Sequence, residues 1–61
     1  MKLIEFLKEH GLTQIEFANL SNLTQASISR YLTFRQKPGL KALLKIKRAT
    51  DGQVDAEDFA D

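Results

Sequence analysis

Several residue types that carry chemistry are missing or scarce in this chain of 61 residues. It has no cysteine, one histidine and one proline. Without cysteine there is no disulfide framework and no thiolate metal site, and His10 alone gives a metal site very little support. No nucleophile, base and orienting group stand at a recognisable spacing. We therefore expect a protein that is not an enzyme, uses no cofactor or metal and has no small-molecule substrate.

Long apolar runs are also missing. No run approaches the roughly 18 residues that a membrane span needs. Glu5 places a carboxylate where a secretory signal would stay apolar, so no targeting segment is expected. A chain of 61 residues forms one domain at most, and it buries only about 60% of its extended surface. We expect a single domain over residues 1–61 that is cytoplasmic, does not bind a membrane and carries its function on its surface.

One stretch of the chain lacks acidic residues, and another lacks basic residues. Residues 1–50 hold all 9 basic residues and three acidic ones, which gives +6. Residues 51–61 hold five acidic residues and nothing basic, which gives −5. Seven of the basic residues lie between Arg30 and Arg48 with no acid among them. A polyanion such as nucleic acid is the natural partner of such a segment, and the alternative is a solvated face that binds nothing.

The apolar residues recur at helical spacing along the whole chain, and alternating β-branched runs are missing. A first helix is predicted over 2–9, with Gly11 as the left-handed residue that ends it. Thr13 can cap a second helix, and Glu16 three residues later completes a capping box. Asn22 tolerates the left-handed backbone region, which suits a tight turn after that helix.

The rest of the chain predicts three more helices. Thr24 caps a helix of about ten residues, and Pro38 with Gly39 marks the loop that follows. A fourth helix covers about 40–50, and Asp55 can cap a short fifth one. The expected fold class is therefore all-α with five helices. The apolar residues expected to face the core or to anchor loops include Leu3, Phe6, Leu7, Phe17, Ala18, Leu20, Ile28, Tyr31, Leu32, Phe34, Leu40, Leu43, Leu44, Ile46, Val54 and Phe59.

Three residues have the spacing of a helix-turn-helix. Ala18 is small where two helices would cross closely, Asn22 accepts a positive φ in the turn, and Ile28 is a branched apolar anchor in the next helix. With these residues, segments 13–18 and 23–30 resemble the phage Cro/CI repressor family, and the resemblance covers about residues 2–60. It implies a compact five-helix, lambda-repressor-like fold. It also implies a Cro-like repressor that occupies a double-stranded DNA operator in the cytoplasm of a bacterial cell.

The resemblance and the side-chain types together predict which residues contact DNA. The Gln25 amide can hydrogen-bond adenine N6 and N7, Arg30 can pair with guanine, and Ala26 can touch a thymine methyl. Gln14 is similar to a phosphate clamp at a helix N-terminus, although an exposed residue with no ligand is the alternative. The predicted base contacts are Thr24, Gln25, Ala26, Ser29 and Arg30, and the predicted phosphate contacts are Gln14, Ser27, Arg35, Lys37 and Lys41.

The small size of the chain also bears on its partners. A protomer of this size makes few base contacts, so we expect a weak homodimer on half-sites about 34 Å apart. The loop before Leu40 and the segment near Phe59 are candidate dimer contacts. Two alternatives stay open: a helical protein-interaction module whose basic face binds an acidic partner, and a DNA-binding antitoxin or autoregulator of a toxin–antitoxin operon.

Overall fold

A computed structural model describes residues 1–60, which fold as four α-helices and one closing turn of 3₁₀ helix. These residues include no strand, so the all-α fold class is confirmed. The elements are α1 (Leu3–His10), α2 (Gln14–Ser21), α3 (Gln25–Leu32), α4 (Leu40–Ala49) and the 3₁₀ turn (Ala56–Phe59).

The expectation of five helices is wrong, because the last segment is a single 3₁₀ turn. Its backbone bond runs from the Asp58 N–H to the Asp55 carbonyl at 3.0 Å, which is the tighter spacing of three residues. Asp55 caps this turn as expected, since its carboxylate accepts from the Ala56 N–H at 2.7 Å. The chain is in extended geometry again at Ala60, so no second turn follows.

The starts that the sequence predicts for α2 and α3 are confirmed. The Thr13 hydroxyl accepts from the Glu16 N–H at 3.1 Å, and the Glu16 carboxylate accepts from the Thr13 N–H at 2.9 Å. This reciprocal pair is the capping box, and it satisfies two backbone donors that a helix start leaves open. At the start of α3, the Thr24 hydroxyl accepts from the Ser27 N–H at 3.1 Å. Local polar side chains therefore fix where α2 and α3 begin.

The turn between α2 and α3 is fixed from both of its sides. Asn22 has the left-handed backbone expected of it, with φ 57°, and the Leu23 N–H then donates to the Ala18 carbonyl at 2.9 Å. From α4, the Lys45 ammonium donates to the Asn22 carbonyl at 3.3 Å. The direction in which α3 leaves this turn is thus set by α2 and α4 together.

One apolar core unites all the elements. Phe17 of α2, Ile28 of α3 and Ile46 of α4 are completely buried, with 0% exposure. The aromatic rings pack edge to face, with centroids 6.0 Å apart for Phe6 and Phe17 and 6.4 Å apart for Tyr31 and Phe59. The full set of core residues is Leu3, Phe6, Leu7, Phe17, Ala18, Ile28, Tyr31, Ile46, Val54 and Phe59.

The end of α2 buries a serine where the sequence predicts a leucine. Leu20 is 62% exposed, whereas Ser21 is buried and donates its hydroxyl to the Phe17 carbonyl at 2.8 Å. Helical geometry explains the difference, because Ser21 lies on the helix surface between Phe17 and Ala18 and Leu20 lies outside that stripe. The internal hydrogen bond satisfies the buried hydroxyl, so this position tolerates a polar residue.

Three other apolar residues expected at the core or as anchors are exposed: Phe34, Leu40 and Leu44. On α4 the buried stripe runs through Ile46, with Leu43 half-buried beside it. Leu40 and Leu44 are one turn apart on the opposite side of that helix, so they face solvent. Phe34 lies in the loop between α3 and α4.

Enlarging Ala18, the small buried residue of α2, should destabilise the fold. Ala18 is buried in the core, and the Leu23 N–H bonds its carbonyl at 2.9 Å, so the chain passes close to it. We expect Ala18→Leu to cost about 1–3 kcal/mol by overpacking, measured by urea denaturation. The neighbouring Asn19→Leu is the matched control, because Asn19 is exposed and should change stability by less than about 0.5 kcal/mol. Equal midpoints for the two variants would contradict a close crossing at Ala18.

Candidate nucleic-acid interface

The two sides of α3 differ in burial and in chemistry. Its inner side carries Ile28, at 0% exposure, and Tyr31, which is also buried. Its outer side carries Gln25, Ala26 and Arg30, all exposed. This outer side includes no acidic residue, and a helix of eight residues is about 12 Å long. An α-helix is about 10–12 Å in diameter with its side chains, so this helix, with small and hydrogen-bonding groups outward, fits the major groove of a duplex, which is about 12 Å wide.

The three hydroxyl residues of this segment are placed differently from one another. Thr24 donates its hydroxyl to Ser27 Oγ at 3.0 Å and accepts from the Ser27 N–H, so its proton is used inside the cap. Ser27 is half-buried and lies nearly opposite Gln25 on α3, one turn before Arg30. Ser29 is half-buried and lies between Gln25 and Arg30 on the outer side. Of the three, Ser29 shares the face of the exposed residues.

Gln14 is the first residue of α2 and is half-buried. The capping box next to it uses the Glu16 N–H, so the first turn still presents the N–H groups of Gln14 and Ile15. Backbone donors at a helix N-terminus, together with a side-chain amide, can bind one phosphate oxygen. The position therefore has the chemistry that a phosphate clamp needs.

The predicted phosphate-binding cations follow α3 in the chain, in the next loop and at the start of α4. Arg35 and Lys37 are exposed in the loop after α3, and Lys41 is exposed in the first turn of α4. The Arg35 N–H donates to the Arg30 carbonyl at 3.0 Å, so the loop turns back directly at the end of α3. This turn places the backbone of Arg35 next to the end of α3, the helix whose outer side carries Arg30.

Two of the other basic residues of α4 have partners inside the chain. Lys45 bonds the Asn22 carbonyl, and Lys47 forms an ion pair with Asp55 at 3.1 Å. Sequence reasoning missed the role of Lys45, because the two partners are 23 residues apart and no local pattern joins them. Lys45 therefore supports the turn between α2 and α3 and helps to hold α3 in its position.

Acid should weaken the fold through the capping box. The Thr13 backbone N–H, followed by its side chain, lowers the pKa of the Glu16 carboxyl from its ordinary value of 4.5. A lowered pKa stabilises the fold above the ordinary value, and this stability is lost as the pH falls through the lowered one. We expect the temperature of the unfolding midpoint to decrease when the pH is lowered below about 5.

Glu16→Gln should make that decrease smaller, because glutamine keeps the capping acceptor without a titrating group. The Ala56 N–H likewise lowers the pKa of Asp55, so part of the acid sensitivity should remain in the variant. Thermal melts of both proteins between pH 7 and pH 3 measure the difference. Parallel losses of stability in the two proteins would contradict a role for Glu16.

Within residues 1–60, no helix has the length and apolar character needed to span a bilayer. In the same residues, no three histidine or acidic side chains are grouped where they could hold a metal ion.

Comparison with protein families identifies the family to which this architecture belongs. A family model described as helix-turn-helix matches residues 3–55, which include all four α-helices and the capped turn between α2 and α3. Comparison with curated proteins and with solved structures finds no match. The family match covers most of the chain and includes every residue predicted to contact DNA. The chain therefore belongs to the Cro/C1-type helix-turn-helix family of DNA-binding domains.

Proposed function

We propose that this protein is a transcriptional repressor that binds a specific double-stranded operator by placing α3 in the major groove. The observation that carries the proposal is the two-sided character of α3: Ile28 is fully buried, while Gln25 and Arg30 are exposed on the outer side. Repression follows from occupancy, because a protein seated on an operator blocks access to the promoter. The protein acts as a single domain in the cytoplasm of a bacterial cell.

The outer side of α3 supplies the sequence readout. Gln25 donates to adenine N7 and accepts from N6 through its amide, and Arg30 pairs with guanine or with a phosphate next to it. Ala26 contacts a thymine methyl. Thr24 adds a contact next to Gln25, and Ser29 adds one between Gln25 and Arg30. The phosphate contacts supply affinity that does not depend on sequence, and they come from Gln14, Ser27, Arg35, Lys37 and Lys41.

The size of the protomer favours binding as a pair. The described chain measures 25 × 21 × 19 Å, which is shorter than the roughly 34 Å between successive major grooves on one face of a duplex. One protomer therefore reads one half-site. A weak homodimer, completed on DNA, reads two half-sites related by a two-fold axis and adds the specificity that one short helix lacks.

The test is selection of bound sequences from a random duplex pool, followed by titration at several salt concentrations. We expect a two-fold symmetric consensus. We also expect the logarithm of affinity to fall with the logarithm of salt concentration with a slope of roughly −3 per protomer, one unit for each of three phosphate-binding cations.

A matched pair of variants sharpens the salt measurement. Lys41→Ala should reduce the slope by about one unit per protomer, whereas Lys8→Ala should leave it unchanged. Both lysines are exposed on helices, but Lys8 lies on α1, outside the proposed interface. Absence of binding to any duplex at low salt would overturn the proposal and favour the protein-interaction module.

A further inference from the structure

Lys45 differs from the other basic residues of the chain in its surroundings. All 9 Lys and Arg residues lie in the described part of the chain, and Lys45 alone among them is half-buried while the others are exposed. Its ammonium donates to the Asn22 carbonyl at 3.3 Å. Lysine side chains usually keep the ammonium in water and bury only the stem. The half-burial of Lys45, together with this bond, indicates a cation that the fold holds in one place.

The bond of Lys45 supplies what the end of α2 lacks. The last turns of the other three α-helices contain basic residues of their own, whereas the last turn of α2 contains none. The free carbonyl groups at the C-terminus of a helix carry a partial negative charge, which a nearby cation stabilises. Asn22, the left-handed residue that ends α2, receives that cation from α4. The end of α2 is thus stabilised from outside its own segment.

The helix α4 carries a second cation on the side of Lys45. Lys41 lies one turn earlier in α4 and is exposed. Residues four apart on a helix are neighbours on its surface, with Cβ atoms about 5–6 Å apart. Under the proposed function, Lys41 binds a DNA phosphate. One side of α4 therefore holds both a phosphate contact and the bond to Asn22, which lies shortly before Gln25, the first residue of α3.

The direction of α3 relative to Lys41 depends on the turn at Asn22. Within the helix-turn-helix, α2 packs against both α3 and α4, and α3 packs less closely on α4 than on α2. Phosphate contacts fix the register of a protein on a duplex, whereas base contacts need a side chain that is placed to within about 0.5 Å. A small rotation of α3, with Lys41 held on its phosphate, would therefore move Gln25 away from its base edge.

We propose that Lys45 is a positioning residue for sequence recognition: its bond to the Asn22 carbonyl fixes the direction of α3 against the phosphate contact of α4. This inference rests on the proposed function, and it assigns to Lys45 a part in the discrimination between the operator and other duplexes. Without the bond, α3 samples several directions. A smaller fraction of the protein is then ready to read the operator, and the apparent affinity falls by that fraction. Binding that uses phosphate contacts alone is unaffected.

Lys45→Met tests this role through the ratio of the affinities for the selected operator and for a duplex of scrambled sequence. Methionine keeps the apolar stem of lysine and removes the donor. We expect the ratio to fall by roughly three- to tenfold, as for the loss of one hydrogen bond, with the salt slope unchanged. Lys45→Arg keeps a cationic donor and should retain most of the ratio. Far-UV circular dichroism at the temperature of the titration checks that each variant is folded.

Lys47→Met is the matched control. It removes one positive charge from the same helix, but Lys47 pairs with Asp55, outside the helix-turn-helix, so the ratio should stay within about twofold of the original. An equal fall for Lys45→Met and Lys47→Met, or an unchanged ratio for Lys45→Met, would overturn the proposal. A salt slope reduced by about one unit in Lys45→Met, with equal weakening on both duplexes, would make Lys45 a phosphate contact and would also overturn it.

Nuclear magnetic resonance without DNA tests the structural step alone. The Asn22 carbonyl and the Leu23 N–H belong to one peptide group, and this N–H donates to the Ala18 carbonyl at 2.9 Å. We expect Lys45→Met to shift the Leu23 amide resonance and to speed its hydrogen exchange, and Lys47→Met to leave both unchanged. An unchanged Leu23 amide in Lys45→Met would overturn the inference whether or not the protein recognises an operator.

The random pool separates this inference from the proposed function. If the pool yields no consensus, the proposed function fails and this inference fails with it. If the pool yields a consensus and Lys45→Met keeps the ratio of the original protein, this inference alone fails.

Discussion

Replacing Gln25 by alanine is expected to weaken binding to the preferred operator by about 1–3 kcal/mol and to relax base preference at one position of each half-site. Gln25 is the first residue of α3 and is exposed, so its amide is free to meet a base edge. Loss of that amide removes a bidentate contact to one base and leaves the others in place. Titration against duplexes that each carry one substituted base pair measures both effects.

Lys37→Ala is the comparison for that experiment. Lys37 is exposed in the loop after α3, and we expect its loss to weaken all duplexes alike and to reduce the salt slope by about one unit per protomer. A base contact and a phosphate contact thus leave different signatures. If both variants lost the same affinity on every sequence, the assignment of Gln25 to base readout would be wrong.

Ile28→Ala is expected to unfold much of the protein, with a cost of about 2–5 kcal/mol. Ile28 is fully buried and is the anchor by which α3 packs on the core. A chain of 61 residues has a stability of only a few kcal/mol, so the cost is comparable to the whole. Helix content by circular dichroism and the urea midpoint measure this loss, and Ile28→Val, at about 0.5–1.5 kcal/mol, is the conservative control.

The same variant links stability to operator binding. Excess operator binds only the folded form, so it should recover about 2.7 kcal/mol at a hundred times the dissociation constant and restore part of the helix content. An Ile28→Ala protein with an unchanged urea midpoint would show that α3 does not depend on this residue for its place on the core.

The elements with local causes were predictable from the sequence. Thr13, Glu16 and Thr24 act through hydrogen bonds that reach only three residues, so the starts of α2 and α3 follow directly from the order of residues. The left-handed turn at Asn22 has an equally local cause. These local signals set the frame of the helix-turn-helix, and with it which residues of α3 face outward.

The features that depend on distant contacts were not predictable in this way. Ser21 is buried because it lies on the side of α2 that packs in the core, although its residue type favours the surface, and its hydroxyl is satisfied there by the Phe17 carbonyl. Leu40 is 74% exposed because the core uses the other side of α4, which the sequence pattern alone does not distinguish. Phe34 is exposed by the course of the loop, and Lys45 reaches Asn22 across 23 residues. In each of these cases the local sequence pattern allowed more than one placement of the side chain, and tertiary packing determined which one it adopts.

The most direct test of the central claim is an NMR titration of the isotope-labelled protein with the duplex selected from the random pool. We predict that the largest shifts, and the protein–DNA nuclear Overhauser effects to major-groove protons, fall on Gln25, Ala26 and Arg30. Residues of α1 such as Glu5 and Lys8 should change little. Contacts concentrated on α1, with Gln25 and Arg30 unperturbed at saturation, would contradict the account.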